Sequence, residues 1–274
     1  MGELRRDPIS GRWIIIASER EKLPSEFMTE PRIKKGGFCP FCPGNEDKTP
    51  PEITAHREGN TKPNSPGWNV RVIPNKFPAL GIEGELDRLG VGVYDMMNGI
   101  GAHEVIIETP DHNKQMADLT EFELEKVLFA YCSRALDLLR DTRFKYILIF
   151  KNFGEPAGAS LEHSHSQLIA LPIVPKRVNE EIVGSESYFE YKERCVFCDM
   201  IRQEIEDDER VITENKSFIA FAPYASCFPY ECWILPKEHS HCFCRTKPEG
   251  IIDLARILRE TLNRIRKLLL DPSY

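Results

Sequence analysis

Three polar side chains alternate at the head of one apolar run, where His163, His165 and Gln167 lead into Leu168, Ile169 and Leu171. In a strand they would project from one face. Beside apolar neighbours, such groups are costly to bury unless each finds a partner. Two chemistries fit the pattern. Both histidines can ligate one structural zinc, or His163 can be a ligand while His165 serves as a nucleophile. Counting ligands favours the split. Cys39, Cys42 and His112 supply three donors, and a structural tetrahedral zinc needs only one more. His165 then stays free, two residues along the same face. A redox role for the Cys39/Cys42 pair lacks the βαβ setting that such dithiols usually occupy. A second set, Cys195, Cys198 and His239, repeats the pattern, with its fourth ligand expected beyond Tyr274 and with His241 as the alternative to His239.

Just before the histidines lies Asn152-Phe-Gly154-Glu-Pro-Ala-Gly158-Ala-Ser160. Small residues let backbone N–H groups come close to an oxyanion, and Ser160 adds a hydroxyl donor. A plain hairpin loop would look the same in isolation; its place next to the histidines favours contact with phosphate. Such chemistry must use local donors, because a net charge of −7 supplies no positive field for nucleic acid or an anionic membrane.

The composition, 41% hydrophobic and 29% charged, is that of an ordinary globular protein. At 274 residues the chain can bury one large core or two smaller ones. No run approaches the ~18 apolar residues of a membrane helix. The start MGELRR has no apolar leader and, with Arg6, no myristoylation pattern. A cytoplasmic location is the simplest expectation. Nine cysteines, an odd number, argue against a complete disulfide framework. Cys132, Cys227, Cys232, Cys242 and Cys244 are expected to pack as small hydrophobes.

The elements that must position these residues come in two similar series. Strands are expected over 11–17 (GRWIIIA), 69–73 (NVRVI) and 103–108 (HEVIIE). A helix follows from just after Thr120 to Arg140, with Leu124, Val127, Leu128, Tyr131, Ala135 and Leu138 at helical spacing. Thr120 and Glu123 have the spacing of a capping box. Strands over 145–150 (KYILIF) and 164–171 (SHSQLIAL) complete this half. The second half repeats the order: Cys195-Val-Phe-Cys198, strands over 218–221 and 231–235, then a helix from Ile251 to about Leu270. HEVIIETPDH, ending at His112, overlays ECWILPKEH, ending at His239. Repetition of a supersecondary unit implies an α+β protein of two tandem units with antiparallel sheets, residues 1–178 and 179–274. The second is expected to lack the strand pair that carries His165 in the first.

These residues bring a family into view. KNFGEPAGASLEHSHSQLIALP resembles the active-site segment of the galactose-1-phosphate uridylyltransferase branch of the histidine-triad superfamily. RDPISGRWIIIASERE, CPFCPGNE, VRVIPNKFPAL and PDHNK resemble the same family in the same order, so the likeness covers almost the whole chain. It implies that His165 attacks the α-phosphorus of a nucleotide sugar and is nucleotidylated, and that Gln167 hydrogen-bonds the transferred phosphoryl group. Ser160 and Asn152 match residues at the phosphates and sugar, Arg20 a basic residue near the phosphates, and Asn75 one at the nucleoside. Cys39, Cys42, His112 and His163 match the ligands of a structural zinc; at the second site iron is an alternative to zinc. A homodimer is implied as well.

The main expectation is a UDP-glucose:hexose-1-phosphate uridylyltransferase, working by ping-pong exchange between a nucleotide sugar and a sugar 1-phosphate. The alternative is a nucleotide-sugar phosphorylase or adenylyltransferase of the ADP-glucose type, and a second alternative is a non-catalytic, zinc-stabilised nucleotide-binding protein. Departures from the family pattern bear on this choice. Lys76 stands where many sugar-specific members carry an acid, and Leu23 where some have a second arginine. AGAS and HSHSQ replace the GCSNPHPHGQ type of segment and are similar to the phosphorylase variants.

Overall fold

A computed structural model describes residues 3–16, 26–27 and 36–274. The chain forms two compact units, one of residues 33–174 with 273–274 and the other of residues 1–32 with 175–272. Relative to the expected division at 178/179, the N-terminal residues group with the second half.

The first of these units is built on a five-stranded antiparallel sheet. Its strands are β3 (Thr54–Arg57), β4 (Trp68–Pro74), β7 (Ala102–Ile107), β8 (Tyr146–Phe150) and β9 (His165–Leu171), in the order β3-β4-β7-β9-β8. Between β4 and β7 the short strands β5 (Leu89–Val91) and β6 (Tyr94–Met96) make a separate exposed hairpin. Helix α1 (Glu121–Leu138) lies against β4 and β7. Its start follows from local chemistry. Thr120 accepts the Glu123 N–H while Glu123 returns to the Thr120 backbone, a cap worth about 1 kcal/mol. The six apolar residues expected on its inner face are all buried.

The other unit opens with β1 (Glu3–Arg6) paired to β2 (Trp13–Ile16). The turn between them packs on α2 (Lys176–Lys192) at Gly184, where a Cβ would lie 1.8 Å from the Ile9 carbonyl oxygen. Only glycine permits that approach. Helix α3 (Val196–Asp207) follows, then a three-stranded antiparallel sheet of β10 (Val211–Glu214), β11 (Phe218–Phe221) and β12 (Trp233–Pro236). Helix α4 (Pro248–Leu269) covers β10 and β11 with Ile251, Leu254, Ala255 and Ile257 buried. Proline at its first position fits an orphan N–H and a preset φ.

The internal repeat is real. β3-β4-β7 followed by α1 has the same antiparallel order as β10-β11-β12 followed by α4. Two helices went unseen in the sequence. α2 buries no residue, so tertiary burial leaves little periodic signal in it. α3 begins inside the second Cys-x-x-Cys, with Cys195 at its N-cap position, whereas Cys39 and Cys42 sit in a turn.

Candidate active site and metal centre

Strand register gathers the candidate residues on one face of the five-stranded sheet. β9 pairs with β7 so that His165 stands opposite Ile107, Gln167 opposite Val105 and Ile169 opposite His103. β4 places Ile73 opposite Val105. Directly paired residues share a face. At the His165 end this face is covered by the turn that carries Cys39, Phe41 and Cys42, which packs with Ile73, Val105 and Ile107. The Phe41 ring meets His165 edge-on, with centroids 5.4 Å apart.

Four side chains of that turn and its surroundings converge. The ligand atoms of Cys39, Cys42, His112 and His163 all lie within 4.8 Å of one another. His163 Nδ1 is 3.6 Å from Cys39 Sγ and 3.7 Å from Cys42 Sγ, and His112 Nδ1 is 3.4 Å from Cys42 Sγ. Zinc–sulfur and zinc–nitrogen bonds at a tetrahedral angle place those atoms about 3.6 Å apart, so the donors fit such an ion. His163 is fully buried, and its Nε2–H donates to the Thr109 carbonyl at 2.7 Å. That outer hydrogen bond leaves Nδ1 as the ligand nitrogen. Burial holds the His163 imidazole below its ordinary pKa. Burial and the neighbouring Cys39 push the Cys42 thiol up to about 11.

His165 is held in the state a nucleophile needs. Its Nδ1–H donates to the His163 carbonyl at 2.8 Å, which leaves the lone pair on Nε2. Burial lowers its pKa, and the nearby Lys151 charge acts in the same direction against the His163 carbonyl. Both effects favour the neutral ring.

The opposite face of β9 carries a buried polar network that the sequence did not reveal. Lys151 Nζ donates to Glu108 Oε2 at 2.8 Å, to Ser164 Oγ at 3.0 Å and to the His165 carbonyl at 3.0 Å. Glu108 also accepts from Ser164 Oγ at 2.5 Å, from Tyr131 Oη at 3.0 Å and from Ser166. Burial opposes ionisation of Glu108, but Lys151 and the serine hydroxyls outweigh it and hold the carboxyl below its ordinary pKa. The only available signal was the alternation of Ser164 and Ser166 with the two histidines.

Asn75 and Gln167 come together through His103, which lies within hydrogen-bond distance of both side chains. The phosphate loop is more self-contained than its composition suggested. The N–H groups of Ala157, Gly158 and Ala159 donate to carbonyls of Gly154 and Glu155, so they are not the open oxyanion cradle expected. Asn152 Nδ2 lies where a Cβ on Gly158 would come within 3.1 Å, and Gly158 has φ +90°. Among the described residues no hydrogen bond joins Asn152 or Ser160 to His165 or Gln167. Arg20 and Leu23 lie outside the described residues.

The second cluster is Cys195, Cys198 and His239, again within 4.8 Å. Cys198 Sγ is 3.3 Å from His239 Nδ1, and His241 is not part of it. His239 is exposed and both cysteines half-buried. Among the described residues three donors meet here, against four at the first cluster.

Comparison with known proteins fits this geometry. The family model for the N-terminal domain of galactose-1-phosphate uridyl transferase matches residues 3–175, and that for its C-terminal domain matches 181–269. The chain is 36% identical to an ADP-glucose phosphorylase of Arabidopsis thaliana, covering 99% of this chain and 76% of that protein. It is 29% identical to a galactose-1-phosphate uridylyltransferase of Thermotoga maritima, covering 98% and 77%. A crystal structure of an Arabidopsis ADP-glucose phosphorylase with bound ADP-glucose superposes with a TM-score of 0.82 at 34% identity, covering 100% of this chain and 80% of that one. These findings correct the expectation of a UDP-glucose:hexose-1-phosphate uridylyltransferase. Kinship is stronger to the phosphorylase, in keeping with AGAS and HSHSQ at the positions where the sugar-specific segment departs. No helix among the described residues is long and apolar enough to cross a membrane.

Proposed function

We propose, from the premise that this chain belongs to the galactose-1-phosphate uridyl transferase family, that it is a nucleotide-sugar phosphorylase of the ADP-glucose type. The observation that carries this reading is the 36% identity to an ADP-glucose phosphorylase over 99% of the chain, joined to a His165 ring oriented by the His163 carbonyl.

The chemistry follows from the residues. His165 Nε2 attacks the α-phosphorus of ADP-glucose, the bond to the bridging oxygen breaks, and glucose 1-phosphate leaves with the electron pair. The Nδ1–H stays on the His163 carbonyl and shares the positive charge that develops on the ring. In the second step an oxygen of inorganic phosphate attacks the same phosphorus, the P–N bond breaks, and ADP leaves while His165 returns to its neutral state. One covalent intermediate thus divides the exchange into two displacements. Gln167, two residues along the face, donates to the phosphoryl oxygens; Asn75, Asn152, Ser160 and Arg20 bind the remainder of the nucleotide sugar.

Zinc is the ion that two thiolates and two imidazoles suit, and it would tie the Cys39–Cys42 turn to the histidine strand without an open coordination position. Cys39, Cys42, His112 and His163 would hold it, and Cys195, Cys198 and His239 would contribute to a second site. A homodimer and a cytoplasmic location belong to the same reading on family likeness.

Intact-mass spectrometry after brief incubation with ADP-glucose tests the proposal. An AMP adduct is expected on the wild type and not on His165→Gly, with ADP and glucose 1-phosphate formed once phosphate is added. A wild type that gains no mass from ADP-glucose would sink the reading.

A further inference from the structure

His103 sits between two amides whose orientation the transfer site depends on, and its own hydrogen bonds decide which way they face. Ala79 N–H, which can only donate, points at His103 Nδ1 at 3.2 Å. Nδ1 is therefore an acceptor, and the ring proton resides on Nε2. Nε2 lies 2.8 Å from Gln167 Oε1 and 3.0 Å from Asn75 Nδ2. Bearing a proton, Nε2 donates to the Gln167 oxygen and has no lone pair for Asn75. The Asn75 amide is fixed from its other end, since its Oδ1 accepts the Phe77 N–H at 2.9 Å. Both amides thus spend their oxygens on protein donors. Their NH2 groups have no acceptor among the described residues.

We propose that His103 is a positioning residue of the nucleotidyl-transfer site, whose Nε2–H anchors the Gln167 oxygen so that the Gln167 NH2 is presented to the phosphoryl oxygens. This rests on the phosphorylase reading for the identity of the ligand, but not for the geometry. A glutamine free to flip would offer its oxygen to an anion half the time. Fixing the amide removes that repulsive orientation before the substrate arrives and leaves less to reorganise in the transition state. The site is placed by register: His103 lies opposite Ile169, two pairs along and on the same face as Gln167 opposite Val105, within reach of a diagonal contact.

The test separates the two nitrogens. His103→Gln can place an NH2 near the Nε2 position and keep the Gln167 anchor. His103→Asn can replace only Nδ1. His103→Asn is expected to lower kcat/KM for phosphorolysis of ADP-glucose roughly tenfold, the worth of one net hydrogen bond, with most of the loss in kcat. His103→Gln should restore most of it. In a Gln167→Ala background the two substitutions should have nearly the same small effect, because a residue acting through Gln167 has nothing left to orient. Equal losses with and without Gln167, or no rescue by His103→Gln, would overturn the proposal. A readout independent of activity is the nitrogen-15 NMR spectrum of the histidine rings in the whole protein. His103 is expected as the Nε2-protonated tautomer, with the Gln167 side-chain amide signal shifted in His103→Asn. An Nδ1-protonated ring, or a Gln167 signal indifferent to the substitution, overturns the proposal even if no phosphorolysis is found. Absent turnover with the expected spectrum would instead count against the phosphorylase reading alone.

Discussion

The two Cys/His clusters share one repeated pattern and differ in their surroundings. In the first unit Cys39 and Cys42 lie in a turn that covers the sheet face carrying His165 and Gln167, and His112 and His163 complete a four-donor set around them. His163 belongs to the segment entering β9, so the cluster fixes the start of the strand that carries His165 and Gln167. In the other unit Cys195 and Cys198 open helix α3, only three donors meet among the described residues, and His239 is exposed. Its sheet has no counterpart of β8 and β9 among those residues. The difference teaches that the repeated part, three strands, a helix and a thiol pair, is scaffold. The proposed nucleotidyl transfer lies in what the first unit adds after the helix.

The largest test of that division is His165→Gly. Removing a covalent nucleophile should lower phosphorolysis by at least about 10³-fold, measured as ADP release, while the metal content of both clusters and the melting temperature stay near wild type. A loss of metal on this substitution would break the split between His163 as ligand and His165 as nucleophile. Next in size is a comparison of the clusters themselves. Cys42→Ser should lose the first ion by elemental analysis and lower Tm by roughly 10 °C or more, because binding at a structural site is also folding energy. Cys198→Ser should cost only a few degrees and leave adduct formation on His165 intact. A graded chelator titration should strip the second cluster first; the reverse order would refute the ranking by donor number and burial.

Much of this was legible in the residues. Thr120 and Glu123 declared the start of α1, and the six apolar residues of its inner face were readable because periodic burial is written in composition. The four-donor cluster was readable because few residue types bind zinc. In the sequence His103 reads only as the head of a strand. Its role comes from Ala79 and Gln167, 24 and 64 residues away, and no local pattern encodes such meetings. Glu108 and Lys151 escaped for the same reason, since a charged residue at the end of a strand reads as solvated until the helix above it is placed. Composition misled once. Gly154 and Ala157–Ala159 looked like an open anion cradle, but the backbone donors of Ala157, Gly158 and Ala159 close the loop on itself.

Lys151 sharpens the comparison between a buried network and a surface pair. Lys151→Met would strand the Glu108 carboxylate, which is fully buried, at a cost of about 3–5 kcal/mol. In the other unit Lys237 pairs with Glu214 at 2.6 Å, but both side chains are partly exposed, and Lys237→Met should cost under about 1 kcal/mol. Denaturant titrations of the two variants measure the contrast. Similar losses would mean that Glu108 is rescued by protonation or by water, and that the network behind β9 is not a stabilising one.

The smallest effect concerns acid. Arg57 and Arg71 bond the Glu52 carboxylate of the first unit and, against the opposing effect of burial, hold its pKa below the ordinary 4.5. Its contribution is fully present above the unfolded pKa and is lost as pH falls through the lower folded value. Glu181 in the other unit runs the opposite way. Burial, helped by Asp7 and Glu180, raises its pKa, so its contribution is present at low pH and fades as pH rises through the folded value. Acidification below about pH 4.5 should therefore loosen the first unit around β3 and β4 and spare α2. Hydrogen exchange followed by mass spectrometry reads peptides from each unit separately. Glu52→Gln should flatten the acid loss in β3 and β4 only, and Glu181→Gln should hold α2 at its low-pH protection as pH rises. If Glu52→Gln instead left the acid response of β3 and β4 unchanged, the ion pairs with Arg57 and Arg71 would not be what makes that unit the acid-sensitive one.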